Sequence, residues 1–405
     1  MQPTPRDAGF LQGIMLLLPI TMAVMGISVL TPVVPLLLAQ FKDVPYHDYL
    51  VIGGILTMPA IWVLLFSPVA GFMADRFGRR RLLITAMVIY AFVGAAPAFL
   101  DNLYAVILSR VAVGICESIV LTVSTTMISD YFKGAARERW LASQTAVASV
   151  SALGIIYLGG LLGSAYGWRG PFYLYFYSLP LALGVMRVIW EPTASAPAEV
   201  VQSADVRYVR LPRARILGIC AITLLASISF YTVITKNAEA LVALGVTDAA
   251  QIGRLTMLAS IGVPLGTFAF WGVSRLPIGW LLFIDFALVG LGFTLMGRAL
   301  EPGAYAWGSF VNQVGCGLVL PTMLVWATRG LAYGIRGRVN GIWQASFAIG
   351  QFLSGMIITL FAKVLGGLLL TMALMGKAIL VFAVIAALGG VIARRRAPPA
   401  PLHSS

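Results

Sequence analysis

Apolar stretches long enough to cross a bilayer recur along nearly the whole chain, from Leu11 to Ala393, with only short breaks between them. Each runs for about 20 residues or more, and a helix of that length spans roughly 30 Å of hydrocarbon. Inside lipid a segment must satisfy its own backbone polar groups, which a lone continuous stretch achieves only as a helix. Of the 405 residues, 60% are hydrophobic and 11% charged, against about a quarter charged in soluble domains. A water-soluble fold is excluded, and the chain reads as an all-α membrane protein with twelve transmembrane helices. The start, Met1 to Asp7, leads into an apolar run too long for a signal-peptide core and without a small-residue cleavage site, so the first span is expected to be retained.

The predicted spans run from Leu11 to Gln40, Leu50 to Ala74, Leu82 to Leu100, Leu103 to Tyr131, Trp140 to Ala165 and Pro171 to Ile189. The second set runs from Ile216 to Leu244, Ala250 to Val273, Ile278 to Met296, Gly303 to Ala327, Arg338 to Ala362 and Gly366 to Ala393. The first and seventh are longer than the bilayer needs and must tilt, kink or project. The segment from Glu191 to Arg213 is the one long polar interruption and reads as a linker. The expected organisation is a bundle over 1–190, a linker over 191–213, a second bundle over 214–396 and a tail over 397–405.

The net charge of +13 could signal a nucleic-acid partner, but the cations sit in breaks between spans, where they set orientation. Arg6, Arg76, Arg79, Arg80, Arg81, Lys133, Arg137, Arg139 and Arg187 fall on one side with Arg207, Arg210, Arg213, Arg215, Arg275, Arg329, Arg336, Arg338 and Arg394 to Arg396. The other side has Lys42, Arg169, Arg298 and Lys363. This bias predicts a multi-pass protein of the bacterial inner membrane with both termini in the cytoplasm. Cys116, Cys220 and Cys316 lie inside spans without CxxC or Cys/His spacing, so neither a disulfide framework nor a metal or other cofactor is expected.

The strongest local signal is Gly71-Phe-Met-Ala-Asp75-Arg76-Phe-Gly78-Arg79-Arg80-Arg81, between the second and third spans. Gly71 would let helices approach, Asp75 sits where two helices nearly meet, and Gly78 permits a tight turn. The halves echo one another at an offset of about 200 residues, with Gly272 and Arg275 matching Gly71 and Arg76, and Gln313 with Gly317 matching Arg110 with Gly114. An internal repeat of helical halves marks transporters whose site lies near the midplane.

This loop resembles the GxxxDRxGRR element of the major facilitator superfamily, with Gly71, Asp75, Arg76, Gly78, Arg79 and Arg80 at its fixed positions. The resemblance covers the chain through span count, linker and repeat, and implies two pseudo-symmetric six-helix bundles. Arg110 and Gly114 are similar to the fourth-helix RxxxG of proton-driven members, Asp130 to Arg139 to the end of that helix, and Arg336 to Gly341 to the matching C-terminal element. The Gly-Pro pair of the drug-antiporter GPxxGG element is replaced by Ile155-Ile156 before Gly159-Gly160. The loop after the eighth span lacks the Asp-Arg pair, and sugar-porter signatures are absent.

Ionisable groups within spans are costly and mark candidate sites. Arg110 and Glu117, seven residues apart, share a helix face about 10 Å apart along the axis, with Gly114 between them. Glu117 is the one deep acid of the N-terminal half, and a carboxyl group in low dielectric can take up and release a proton as access alternates. Lys236 and Glu239 can pair or converge on a substrate; Asn312 and Gln313 in the tenth span and Gln344 in the eleventh suit an amphipathic solute. Snorkelling or helix-to-helix hydrogen bonding is the structural alternative for each. At the cytoplasmic face, Asp75, Arg76 and Arg79 are expected to join Asp130 in a charge network. The reading is therefore a monomeric secondary transporter, not an enzyme, exporting a small organic solute in exchange for protons. Uptake or exchange of an organic anion is the alternative, and a non-transporting membrane sensor a remote one.

Overall fold

The computed structural model describes residues 8–192, 213–328 and 333–396. The linker over 193–212 with Arg207 and Arg210, and also Arg6, Arg329 and the tail over 397–405, lie outside the described residues. So do the side chains of Arg213, Arg215, Arg336, Arg338 and Arg394 to Arg396.

All described regular structure is helical, and eleven stretches are long and apolar enough to cross a membrane; with the longest of them divided at Gly167 the helices are α1 Phe10–Gln40, α2 His47–Phe77, α3 Arg79–Phe99, α4 Leu103–Tyr131, α5 Gly134–Tyr166 and α6 over 167–188. Then follow α7 Arg213–Ala243, α8 Ala249–Val273, α9 Ile278–Gly297, α10 Pro302–Thr328, α11 Tyr333–Leu365 and α12 Leu368–Arg396. The stretch Gly134–Val188 is 55 residues of nearly continuous helix, about twice what one crossing needs. It folds back at Gly167, whose φ of +66° suits glycine.

Several spans are broken where the sequence dictates. In α1, Pro19, Pro32 and Pro35 bring no N–H to the carbonyls four residues before them; the helix stops at Leu18 and passes through a tight turn at Thr31–Val33. In α2 the segment Leu50–Thr57 is wound as a π-helix and ends just before Pro59. The third span starts earlier than predicted: Arg79, Arg80 and Arg81 form its first turn.

The structure divides into two compact units. One holds the described residues up to Leu258 with those over 332–360; the other holds 259–331 and those from Phe361 onward. In the first, α1 to α6 pack together and also touch α7, the start of α8, and α11. Thr57 Oγ1 donates to Phe352 O (3.1 Å), Ser227 Oγ to Phe347 O (2.6 Å), and the backbones of Gly160 and Gly253 meet. In the second, α9 lies against α10 and α12 along glycines. A side chain at Gly292 would strike Asn312, and one at Gly290 would meet the backbone of Gly376, the small-residue packing that brings membrane helices close.

Candidate functional site

Among the described residues Arg110 is the largest fully buried side chain. Its charge is met by backbone carbonyls at helix breaks. Nε donates to Ile55 O (3.1 Å) and Nη2 to Gly26 O (2.6 Å). Both acceptors lack an N–H donor four residues on. The residue four beyond Ile55 is Pro59, which has no N–H; the residue four beyond Gly26 is Leu30, whose N–H turns to Ile27 O (3.3 Å). Gly114 fixes this arrangement, because an added Cβ there would lie 2.7 Å from Pro59 O. The guanidinium lies 5.2 Å from the ring centroid of Tyr175, and Nη1 has no hydrogen-bond partner.

Glu117, 3% exposed, shares this chamber. No ion pair joins it to Arg110, and its Oε1 has no hydrogen-bond partner. That oxygen occupies the space a side chain at Gly26 would need, so glycine at this position lets α1 and α4 approach. Tyr90 of α3 faces Glu117, donates its hydroxyl to Met22 O (2.6 Å) and packs on Tyr175 with ring centroids 5.1 Å apart. Neither tyrosine was picked out from the sequence. The available signal was chemical: a buried tyrosine hydroxyl normally finds a partner, so any mid-span tyrosine is a candidate.

The remaining candidates fall in both units and are described within each. Lys236, 2% exposed, pairs with Glu239 at 2.7 Å in the first unit. Gln344 is exposed. In the second unit Asn312 donates to Val289 O (3.0 Å) and accepts from Cys316, while Gln313 is buried with Oε1 unpartnered. Asp285 is fully buried beside Thr322, with neither oxygen in hydrogen-bond geometry.

At the end carrying the basic loop, Arg79 bridges Asp75 (3.2 Å) and Asp130, joining α2, α3 and α4. Arg76 is exposed and lies over the Phe77 ring, 5.8 Å from its centroid, rather than in that bridge. Gly71 has nothing within 4 Å of an added Cβ, so the expected close approach of helices is not made there. Gly78 turns the chain with φ +87°. Arg80 donates to Ile189 O (2.5 Å) and Met186 O (2.6 Å), and Glu191 accepts from the backbone N–H groups of Arg79 (2.6 Å) and Arg80 (3.0 Å). A cation thus covers the carbonyl end of α6 while a carboxylate caps the amide end of α3, each favourable to the helix dipole. Glu191 was missed because it stands just past the last apolar residue, where an acid reads as solvated linker.

Comparison with known proteins places this arrangement. The Major Facilitator Superfamily profile matches residues 16–355. The chain is 25% identical over 331 residues to the class D tetracycline resistance protein of Salmonella ordonez, covering 78% of this chain and 81% of that one. It is 34% identical over 157 residues to the bacillibactin exporter of Bacillus subtilis, covering 36% of this chain and 37% of the exporter. Matches to the first curated relatives span from 37% to 59% of their length. Among solved structures, a bacterial homolog of the human lysosomal transporter Spinster, inward-facing and unoccupied, superposes with TM-score 0.74 at 17% identity, over 97% of this chain and 100% of that one. A D-xylose-proton symporter gives TM-score 0.74 at 15% identity over 96% and 98%. The chain belongs to the Major Facilitator Superfamily.

Proposed function

We propose that this transporter exports a small amphipathic organic solute across the bacterial inner membrane in exchange for protons. Alternating access moves the solute, both termini lie in the cytoplasm, and the working form is a monomer of two six-helix halves, 1–190 and 214–396. One observation carries the coupling assignment: Glu117 is buried in the first unit with a carboxyl oxygen unpartnered and without an ion pair to Arg110. A carboxylate held there permanently ionised would be very costly, so the group exchanges a proton in the transport cycle. The exporter assignment draws on relatives described as a tetracycline resistance protein and a bacillibactin exporter. In the first unit Lys236, Glu239 and Gln344, and in the second unit Asn312 and Gln313, each considered within its own unit, are the polar groups proposed to meet the solute, and the Asp75–Arg79–Asp130 bridge is the proposed cytoplasmic latch.

Uptake of a small organic anion is the second reading, favoured by the unpartnered Nη1 of the buried Arg110 cation. Proteoliposomes loaded with an amphipathic dye distinguish the two when a pH gradient is imposed in either direction. Glu117→Gln keeps the shape of the side chain and fixes it neutral. Gradient-driven flux is expected to fall at least tenfold while dye exchange without a gradient survives; full concentrative flux with unaltered pH dependence would move the proton elsewhere.

A further inference from the structure

Tyr90 stands between a carboxyl group and a broken helix. Its hydroxyl donates to Met22 O at 2.6 Å. Met22 lies one turn before Gly26, whose carbonyl holds Arg110 and whose missing side chain makes room for Glu117 Oε1. The same hydroxyl faces Glu117. A phenol has one proton to donate and cannot serve Met22 and Glu117 together. A neutral carboxyl group competes with a carbonyl on similar terms, whereas an ionised one accepts a hydrogen bond roughly twice as strong.

Resting on the reading of Glu117 as the proton carrier, we infer that Tyr90 is a positioning residue that converts the charge of Glu117 into a change in the tethering of α1. While Glu117 holds its proton, the hydroxyl ties α3 to α1 at Met22. When the proton leaves, the hydroxyl turns to the carboxylate, and α1 keeps the hold of Arg110 at Gly26 but loses the one at Met22. The span is built to respond, because Pro19 breaks it before this segment and the Thr31–Val33 turn breaks it after. The titratable and charged groups facing Glu117 are Arg110 and Cys116 on α4, Tyr90 on α3 and Tyr175 on α6; α1 presents Gly26 and its carbonyls. Tyr175 keeps the Tyr90 ring in place as the hydroxyl changes acceptor.

The test is the pH profile of gradient-driven dye flux in proteoliposomes for Tyr90→Phe, which keeps the stacked ring and removes the hydroxyl. Ser178→Ala is the control: Ser178 Oγ also makes a buried hydroxyl-to-carbonyl tie between α6 and α3, to Met87 O at 2.8 Å. The pH of half-maximal flux is expected to move by half a unit or more in Tyr90→Phe and to stay in Ser178→Ala. Adding Tyr90→Phe to Glu117→Gln is expected to change the profile no further. Should Tyr90→Phe fail to fold, a fluorinated tyrosine at position 90, a stronger donor of the same shape, is expected to move the profile in the sense opposite to losing the hydroxyl. A wild-type profile in Tyr90→Phe or in the fluorinated protein overturns the inference, as does an equal shift in Ser178→Ala. If Glu117→Gln itself keeps wild-type coupling, the proton-carrier reading fails first, so the two failures are distinguishable.

Discussion

Arg110→Lys separates the geometry of the buried cation from its charge. The guanidinium serves two carbonyls at once, Ile55 O through Nε and Gly26 O through Nη2. A lysine ammonium on a single stem reaches one of them and leaves the other without a donor. Hydrogen bonds to charged groups contribute about 1.5–3 kcal/mol each, so Arg110→Lys should cost about that much. Arg110→Ala should cost about twice as much, with a further loss from the cavity left by a fully buried side chain. Glu117→Gln makes the informative comparison. Removing one partner of a buried ion pair costs about 3–5 kcal/mol, but no such pair joins Glu117 to Arg110, so this variant should melt within about 1 kcal/mol of wild type. The assay is loss of monodisperse protein on heating in detergent at one fixed scan rate. The expected order of melting temperature is wild type close to Glu117→Gln, then Arg110→Lys, then Arg110→Ala. Arg110→Lys melting with wild type would refute the two-carbonyl account, and Glu117→Gln melting with Arg110→Ala would put an ion pair in its place.

Two further outcomes follow from the ends of the helices. Asp75 is 72% exposed in its side chain and Asp130 is 23% exposed; exposed pairs contribute about 0–1 kcal/mol, so Asp75→Asn should leave thermal stability unchanged while Asp130→Asn alters flux and the thiol accessibility of both faces, and a larger effect of Asp75→Asn on stability would reverse that ranking. Asp248, before α8, accepts from Ser164 and from the N–H groups of Ala250 and Gln251 (3.2 Å each), which hold its carboxyl below the usual range. Its folded value lies below the unfolded one, so the helix cap is fully present above about pH 3.9 and is lost as pH falls through the lower folded value. Hydrogen exchange over the start of α8 should accelerate in Asp248→Ala at neutral pH; wild-type protection would show that the cap is idle.

What could be read from the sequence follows from what is local. The bounds of α4 were legible end to end, because Asn102 accepts from Tyr104 N (2.8 Å) as an N-cap just where the apolar run begins. The start of α3 was placed late since three arginines at a helix N-terminus oppose the dipole; what offsets them is Glu191, 112 residues from Arg79 in sequence, and Asp130 from α4. Arg110 and Glu117 were visible as buried charges on one helix face, but their partners were not. Those partners are a carbonyl in the π-wound segment of α2 before Pro59, a carbonyl freed by a break in α1, and tyrosines from α3 and α6. Sequence periodicity reports which face is apolar and is silent on which backbone groups a distant proline leaves open.

The same device recurs at two depths. At mid-span Arg110 is satisfied by carbonyls at interruptions of α1 and α2, and at the basic end Arg80 is satisfied by carbonyls at the end of α6. A carbonyl at a helix end or break carries partial negative charge without carrying a proton. Each of these two arginines is therefore neutralised by something that does not titrate, which at mid-span leaves Glu117 without an ion pair, whereas at the basic end Asp75 and Asp130 are paired by a different arginine, Arg79. It also means that neither α1 nor α6 can slide past its arginine without exchanging one carbonyl for another. Motion at these points is stepwise, and the step at α1 lies one helical turn from the carbonyl that Tyr90 holds.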